Sequence, residues 1–193
     1  MNGICFTDEN TGTAVGDFGY ILRTTDGGIS WTKQQSGTPY HFGGVAFSDA
    51  NTGTAVTRTG NIIRTTDGGA TWTNQTTVVA GLNGVVFTDS NNGYAFGYVN
   101  KDNVSGGIIF KTTNGGALWT SQILKGTFTI FGLSFLDANN GFAVVDTIAY
   151  GGNSVIMKTT DGAKTWTPLA GAVKNSLMAI SFSDINNGIG VGP

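Results

Sequence analysis

The chain is poor in charge. Only 11% of its 193 residues are Asp, Glu, Lys or Arg, ten basic against twelve acidic, for a formal net charge of −2. Nucleic-acid binding calls for a basic face, and this balance argues against one. Cysteine is reduced to Cys5, which rules out an internal disulfide and any thiolate-rich metal centre. His41 is the single histidine, and no Ser-His-Asp or metal-ligand grouping can be built around it. Glu9 is the one glutamate, and arginine stops at Arg23, Arg58 and Arg64. No apolar run approaches the roughly 18 residues of a membrane-spanning helix. Met1-Asn2-Gly3 opens without the cationic start and apolar segment of a secretory signal. Neither membrane insertion nor a cofactor is expected.

Glycine, by contrast, is abundant at 31 residues, as short strands and tight turns require. Four stretches are nearly the same: Thr24 to Trp31 (TTDGGISW), Thr65 to Trp72 (TTDGGATW), Thr112 to Trp119 (TTNGGALW) and Thr159 to Trp166 (TTDGAKTW). Each reads as a hairpin. A strand ends at Thr, Asp or Asn with Gly makes a turn that needs φ > 0, and a new strand starts at Trp. Asp26, Asp67, Asn114 and Asp161 sit where a short side chain accepts hydrogen bonds from the turn's amides. The structural set is Thr24, Asp26, Gly28 and Trp31 with Thr65, Asp67, Gly69 and Trp72, then Thr112, Asn114, Gly116 and Trp119, then Thr159, Asp161 and Trp166. The Trp residues are expected to anchor the repeats, so that Trp72→Ala would cost about 3–5 kcal/mol as a core truncation.

The four Trp residues lie 41, 47 and 47 residues apart. A period in the forties with strand patterning is that of a propeller blade. A second signal lies between the turns: Phe6 to Gly12 recurs as Phe47 to Gly53, Phe87 to Gly93, Phe135 to Gly141 and Phe182 to Gly188, each a strand running into a D-x-N-x-G turn. One repeat therefore has four strands, A to D. The A–B signal occurs five times and the C–D signal four. The expected fold is an all-β propeller of four-stranded antiparallel blades, four complete and half of a fifth. It forms a single domain over residues 1–193, with blades at about 1–36, 42–77, 82–124 and 130–170 and a half blade at 177–192. The half blade marks either a piece of a longer propeller or a chain that closes or assembles unusually. A free edge at Ile189 to Gly192 is a liability, and covering by a second copy of the chain, as a homo-oligomer, is the expected escape.

The S/T-x-D-x-G-x-S/T-W pattern resembles the Asp-box of the bacterial neuraminidase repeat. Its pairing with the run Gly19 to Gly28 (GYILRTTDGG) is similar to the propellers of the photosystem II assembly and stability factor family and their secreted bacterial relatives. The resemblance implies a propeller and a secreted or bacterial cell-envelope setting; the low charge, the richness in Thr, Asn and Gly and the separation of repetitive turns from variable loops point to a non-catalytic binding module. Asp-boxes also occur in sialidases and xyloglucanases, so a glycoside hydrolase is the alternative. Asn114 for the box Asp, Ala163 for the box Gly and Leu118 for the small hydroxyl residue depart from the pattern. The turns of blades three and four are expected to be held less tightly.

Strand direction sorts the connections. Both repetitive turns share one end of a blade, and the segments that differ between repeats share the other, where binding is usually placed. The possible binding face there comprises Phe18, Tyr40, His41, Arg58, Tyr98, Lys101, Asp102, Phe128 and Tyr150, beside Asp17 and Lys174. Aromatics among short polar groups stack on a sugar or grip a peptide, so the expected partner is a protein or a carbohydrate. Read more plainly, they are solvated loop residues. No catalytic residue emerges, because the box aspartates recur one per blade and cannot converge. A glycosidase would have to draw on Asp17, Asp102 or Asp146. The D-x-N-x-G turns lack the later acidic ligands of a calcium loop, and no metal is expected. Arg23, Arg64, Lys111 and Lys158 are expected to answer Asp8, Asp49, Asp89 and Asp137. Cys5 aligns with Ala46, Val86, Ser134 and Ser181 and reads as packing.

Overall fold

A computed structural model of the chain describes residues 1–147, 154–169 and 176–192, without the side chain of Phe128. Strands β1 (Gly3–Phe6), β2 (Gly12–Val15), β3 (Tyr20–Thr24) and β4 (Thr32–Gln35) form one sheet in that order. The next sheet is β5 (Phe42–Phe47), β6 (Gly53–Thr57), β7 (Asn61–Thr65) and β8 (Thr73–Thr77). It is followed by β9 (Gly81–Phe87), β10 (Gly93–Lys101), β11 (Val104–Thr112) and β12 (Thr120–Leu124). The fourth comprises β13 (Thr127–Phe135), β14 (Gly141–Thr147), β15 (Ser154–Thr159) and β16 (Thr167–Pro168), and β17 (Ala179–Phe182) pairs with β18 (Gly188–Val191) as a two-stranded remainder. This is the β-propeller class, four blades and a partial fifth, with no helix among the described residues.

Two compact units divide the chain: Met1–Ala95 with Lys111–Thr120, and Phe96–Phe110 with Ser121–Pro193. In the first, β1 lies against β5 and β5 against β9. Register aligns Val45 with Ala55 and Ala55 with Ile63, and this stripe joins Val15, Ile21, Phe42 and Phe47 in one buried cluster, with Cys5 and Trp72 at its border. Within this unit one blade thus buries a face against the next, at roughly 25 cal/mol per Å² of apolar surface removed from water. In the second unit Phe142, Val144 and Ile180 form the core, and the Phe142 and Phe182 rings stack 3.6 Å apart.

The recurring Phe of strand A has two contacts. Its ring meets the repeat's Trp edge-to-face at 5.9–6.3 Å in all four blades, Phe47 with Trp72 for example. It also covers the Gly of the D-x-N-x-G turn so closely that a Cβ at Gly53 would stand 2.6 Å from the Phe47 ring. The Trp residues are half-buried, which corrects the expectation of core anchors. They close the turn end of a blade, and strand D begins one residue later, at Thr32, Thr73, Thr120 and Thr167.

Polar ties join neighbouring blades. Cys5 Sγ accepts the Phe47 amide at 3.4 Å, and Ser134, the aligned residue, accepts the Phe182 amide at 2.9 Å. Gln34 Nε2 donates to the Gly68 carbonyl and Gln122 Nε2 to that of Lys164, both at 2.9 Å. Arg23 donates to Thr13 Oγ1 at 2.8 Å and to the Ala50 carbonyl at 2.6 Å, and lies over the Phe47 ring. Asp8 acts on it only through space, without an ion pair. The expectation that strand C cations pair with the D-x-N-x-G aspartates is corrected for Arg23: the guanidinium is long enough to satisfy a carbonyl on the next blade, and its planar fork serves two acceptors at once.

Candidate functional site

At the repetitive end, the Asp-box is a closed hydrogen-bond unit. Thr24 Oγ1 donates to Asp26 Oδ1 at 2.7 Å and accepts the Gly28 amide at 2.9 Å, while Asp26 accepts both the amide and the hydroxyl of Ser30. Thr65/Asp67/Thr71 and Thr159/Asp161/Thr165 repeat it. Asn114 keeps the Thr112 and Leu118 contacts, but Leu118 has no hydroxyl to donate, so this turn holds one bond fewer. Ala163 adopts φ 70, a region that costs L-residues roughly 1–2 kcal/mol, where Gly28 and Gly69 stand in the other turns. The Ser30, Thr71 and Thr165 hydroxyls, followed by the amides of the same residues, hold Asp26, Asp67 and Asp161 at a pKa of about 2. The box carboxylates therefore spend their acceptor capacity inside their own turns. The Gly27 amide donates to the Asn10 carbonyl, which ties the two repetitive turns to one end of the blade.

At the opposite end of the first unit, three connections converge. The β2–β3 loop meets the β4–β5 connector through Gly19 N–H to Tyr40 O (2.9 Å) and Phe42 N–H to Gly16 O (3.1 Å), and the Arg58 amide donates to His41 O at 2.9 Å. Gly19 has φ 72, and a Cβ there would fall 1.8 Å from the Thr38 carbonyl, so only glycine lets the two loops meet. Asp17 accepts from Asn2 Nδ2 at 2.9 Å and contacts His41 Nδ1 at 2.9 Å. The Asn2 bond, then the His41 bond, lower the Asp17 pKa. Phe18 is 72% exposed at φ 55 and packs on the His41 ring, centroids 4.7 Å apart. A left-handed backbone in a bulky non-glycine residue is costly and tends to persist where function requires it. Tyr40 is 45% exposed beside this pair, and Arg58 is exposed on the adjoining loop. A polar hollow of about 280 Å³ adjoins Phe18, bounded by Lys33, Gln35, Ser36 and Thr38.

The structure thus brings together Phe18, Tyr40, His41 and Arg58, and adds Asn2, which sequence reasoning missed. Nothing in the local pattern around Asn2 marks it, because its partners lie 15 and 40 residues away. In the second unit Lys101 and Asp102 form the tip of the long β10–β11 hairpin, their charged atoms 4.0 Å apart. Asp102 and Asn103 both have positive φ, the type I′ geometry that matches strand twist. Tyr98 stands half-exposed on β10. Asp146 accepts the Ser154 hydroxyl at 2.9 Å. Tyr150, Lys174 and the side chain of Phe128 lie outside the described residues.

The family model described as photosynthesis system II assembly factor YCF48 matches residues 1–128. No curated protein sequence matches the chain. Among solved structures it is similar to YCF48 bound to a D1 peptide, at 20% identity and TM-score 0.70, over 93% of this chain and 56% of that one. It is similar to YCF48 from Cyanidioschyzon merolae at 24% identity and TM-score 0.69, over 93% and 59%. The GH74 enzyme of Niastella koreensis aligns at 18% identity and TM-score 0.73, over 94% of this chain and 33% of that enzyme. At these identities the structural likeness is one of fold, and the chain spans between half and two thirds of the length of the two YCF48 structures. The match of the family model over most of the chain, on the repeats whose turns are described above, places the protein in the photosynthesis system II assembly factor YCF48 family.

Proposed function

We propose that this chain is a non-catalytic binding module that receives a segment of a protein partner on the loops joining β2 to β3, β4 to β5 and β6 to β7. The observation that carries the reading is Phe18, an exposed ring held in a left-handed backbone and backed by His41 and Asp17. A rigid aromatic fixed before binding costs little entropy to engage, which is what an interface anchor needs. The similar structure of YCF48 with a D1 peptide supports a peptide as the ligand class. The lowered pKa of Asp17 does not suit that residue to the part of a general acid, which needs a raised one.

The D1 peptide serves as the probe. Isothermal titration of the protein with it is expected to saturate, and Phe18→Ala to weaken binding about tenfold or more, as loss of an anchor does. Equal binding by Phe18→Ala would remove this face from the account, and a flat titration would remove that peptide as a ligand. The polar hollow beside Phe18, with the GH74 likeness, favours a carbohydrate as the second reading. Binding on a glycan array that Phe18→Ala abolishes, with no response to peptide, would decide for it.

A further inference from the structure

Charge is sorted between the two ends of the first unit. Asp8, Glu9, Asp49 and Asp89 stand in its D-x-N-x-G turns and Asp26 and Asp67 in its Asp-boxes, so every acidic residue of the unit except Asp17 lies at the repetitive end. Strands β3 and β7, five residues each, separate the two ends by roughly 13 Å at about 3.3 Å per residue. That exceeds the screening length of about 8 Å at physiological ionic strength, so the turn carboxylates are felt little at the loops.

Two exposed cations adjoin Phe18. Lys33 borders the hollow beside it and sets its Nζ 4.1 Å from the centroid of the Tyr20 ring. Arg58 adjoins it through His41, since the Arg58 amide donates to the His41 carbonyl and Phe18 packs on the His41 ring. Among the described residues, neither cationic group enters an ion pair or donates a hydrogen bond. Asp17, the one carboxylate at this end, is already engaged: Asn2 Nδ2 and His41 Nδ1 both meet its Oδ1 at 2.9 Å. Arg23, by contrast, spends its donors on Thr13 and on the Ala50 carbonyl in a D-x-N-x-G turn. The loop end of the unit thus presents an aromatic ring with two unanswered positive charges beside it.

Resting on the reading that a segment of a protein partner docks at Phe18, we infer that this segment is acidic. It seats an apolar side chain on the Phe18 ring and carries carboxylates next to it, which pair with Lys33 at the hollow and with Arg58 beside His41. The guanidinium grips a carboxylate through two parallel hydrogen bonds, and the ammonium acts as a point charge. The same two cations repel a basic segment, so the sign of the charge sets the choice of partner while the ring supplies the anchor. Complementary charge also speeds the encounter and makes it sensitive to salt.

The test pans a random peptide display library on the full 193-residue protein, on Phe18→Ala, and on the double variant Lys33→Glu/Arg58→Glu. All three positions are exposed, so the variants keep the fold, and circular dichroism confirms it. Peptides selected on the protein are expected to carry Asp or Glu within two residues of a large apolar side chain. They should weaken about tenfold or more on the double variant, and severalfold as salt rises from about 0.05 M to about 0.5 M. The double variant should itself select Lys or Arg in the acidic places. Peptides that are lost on Phe18→Ala, lack acidic enrichment and bind the double variant equally would overturn this inference and leave docking at Phe18 standing. Peptides indifferent to Phe18→Ala, or no binder at all, would remove the docking face and the inference with it. Capture of polygalacturonate, lost on the double variant, by a protein that selects no peptide would assign the cations to an acidic glycan and overturn the acidic segment.

Discussion

Replacing Thr65 by valine keeps the shape of the side chain and removes one oxygen. That oxygen donates to Asp67 Oδ1 at 2.8 Å and accepts the amides of Gly69 at 2.8 Å and Asp67 at 3.3 Å, in a residue only 2% exposed. The Gly69 bond is buried, so its N–H loses an acceptor that water cannot replace, at a cost of about 1–3 kcal/mol. The part-buried Asp67 amide adds about 0.5–1.5 kcal/mol, the net worth of an ordinary hydrogen bond. Thr65→Val is therefore expected to destabilise by about 2–4 kcal/mol, and Thr65→Ser, which keeps the oxygen, by less than about 1. Urea unfolding followed by tryptophan fluorescence reads both. A Thr65→Val loss under about 0.5 kcal/mol, or a Thr65→Ser loss as large as that of valine, would refute the claim that the hydroxyl organises the turn.

Three further expectations rest on the same turns. Ala163→Gly should stabilise by about 0.5–1 kcal/mol, since alanine there is held at φ 70; a lower urea midpoint in the variant would count against it. Trp72→Ala should cost about 2–3 kcal/mol, below a full core truncation because the ring is half-buried, and a loss above about 4 would restore the core-anchor view. The folded-state pKa values of Asp26, Asp67 and Asp161 fall to about 2 from an ordinary 3.8, so the stability they contribute is fully present above pH 3.8 and is lost as pH falls towards 2. The melting temperature should drop across that window and drop less in the triple Asp→Asn variant, while a flat profile would contradict the assignment.

The blades were legible because each repeat states its own local structure. Thr-Thr-Asp-Gly demands the turn, the Trp period sets the blade, and the five Phe-to-Gly segments count the A–B pairs. Less legible was why those glycines are there. Gly12 and Gly53 are required less by backbone conformation than by a Phe ring that folds back onto them, a tertiary contact. The reach of Arg23 to the Ala50 carbonyl was hidden for the same reason, since its partner lies on the next blade. At the candidate site, the loops were identifiable as the segments that vary between repeats, and Phe18, Tyr40, His41 and Arg58 do converge. The contact between Asp17 and His41 joins positions 24 residues apart, and Asn2 enters from the first strand's approach, so neither follows from local pattern. The departures in blades three and four act separately: Leu118 removes one hydrogen bond, whereas Ala163 keeps the bonds and bears the strain in its backbone.

The most direct test sets the two ends of a blade against each other. Peptides selected on the protein from a random display library would be titrated against Phe18→Ala, at the convergent loops, and Ile29→Ala, whose side chain is 90% exposed on the Asp-box turn. The account predicts that Phe18→Ala weakens the selected peptides about tenfold or more and that Ile29→Ala leaves them unchanged. Loss of binding in Ile29→Ala with full binding in Phe18→Ala would contradict it.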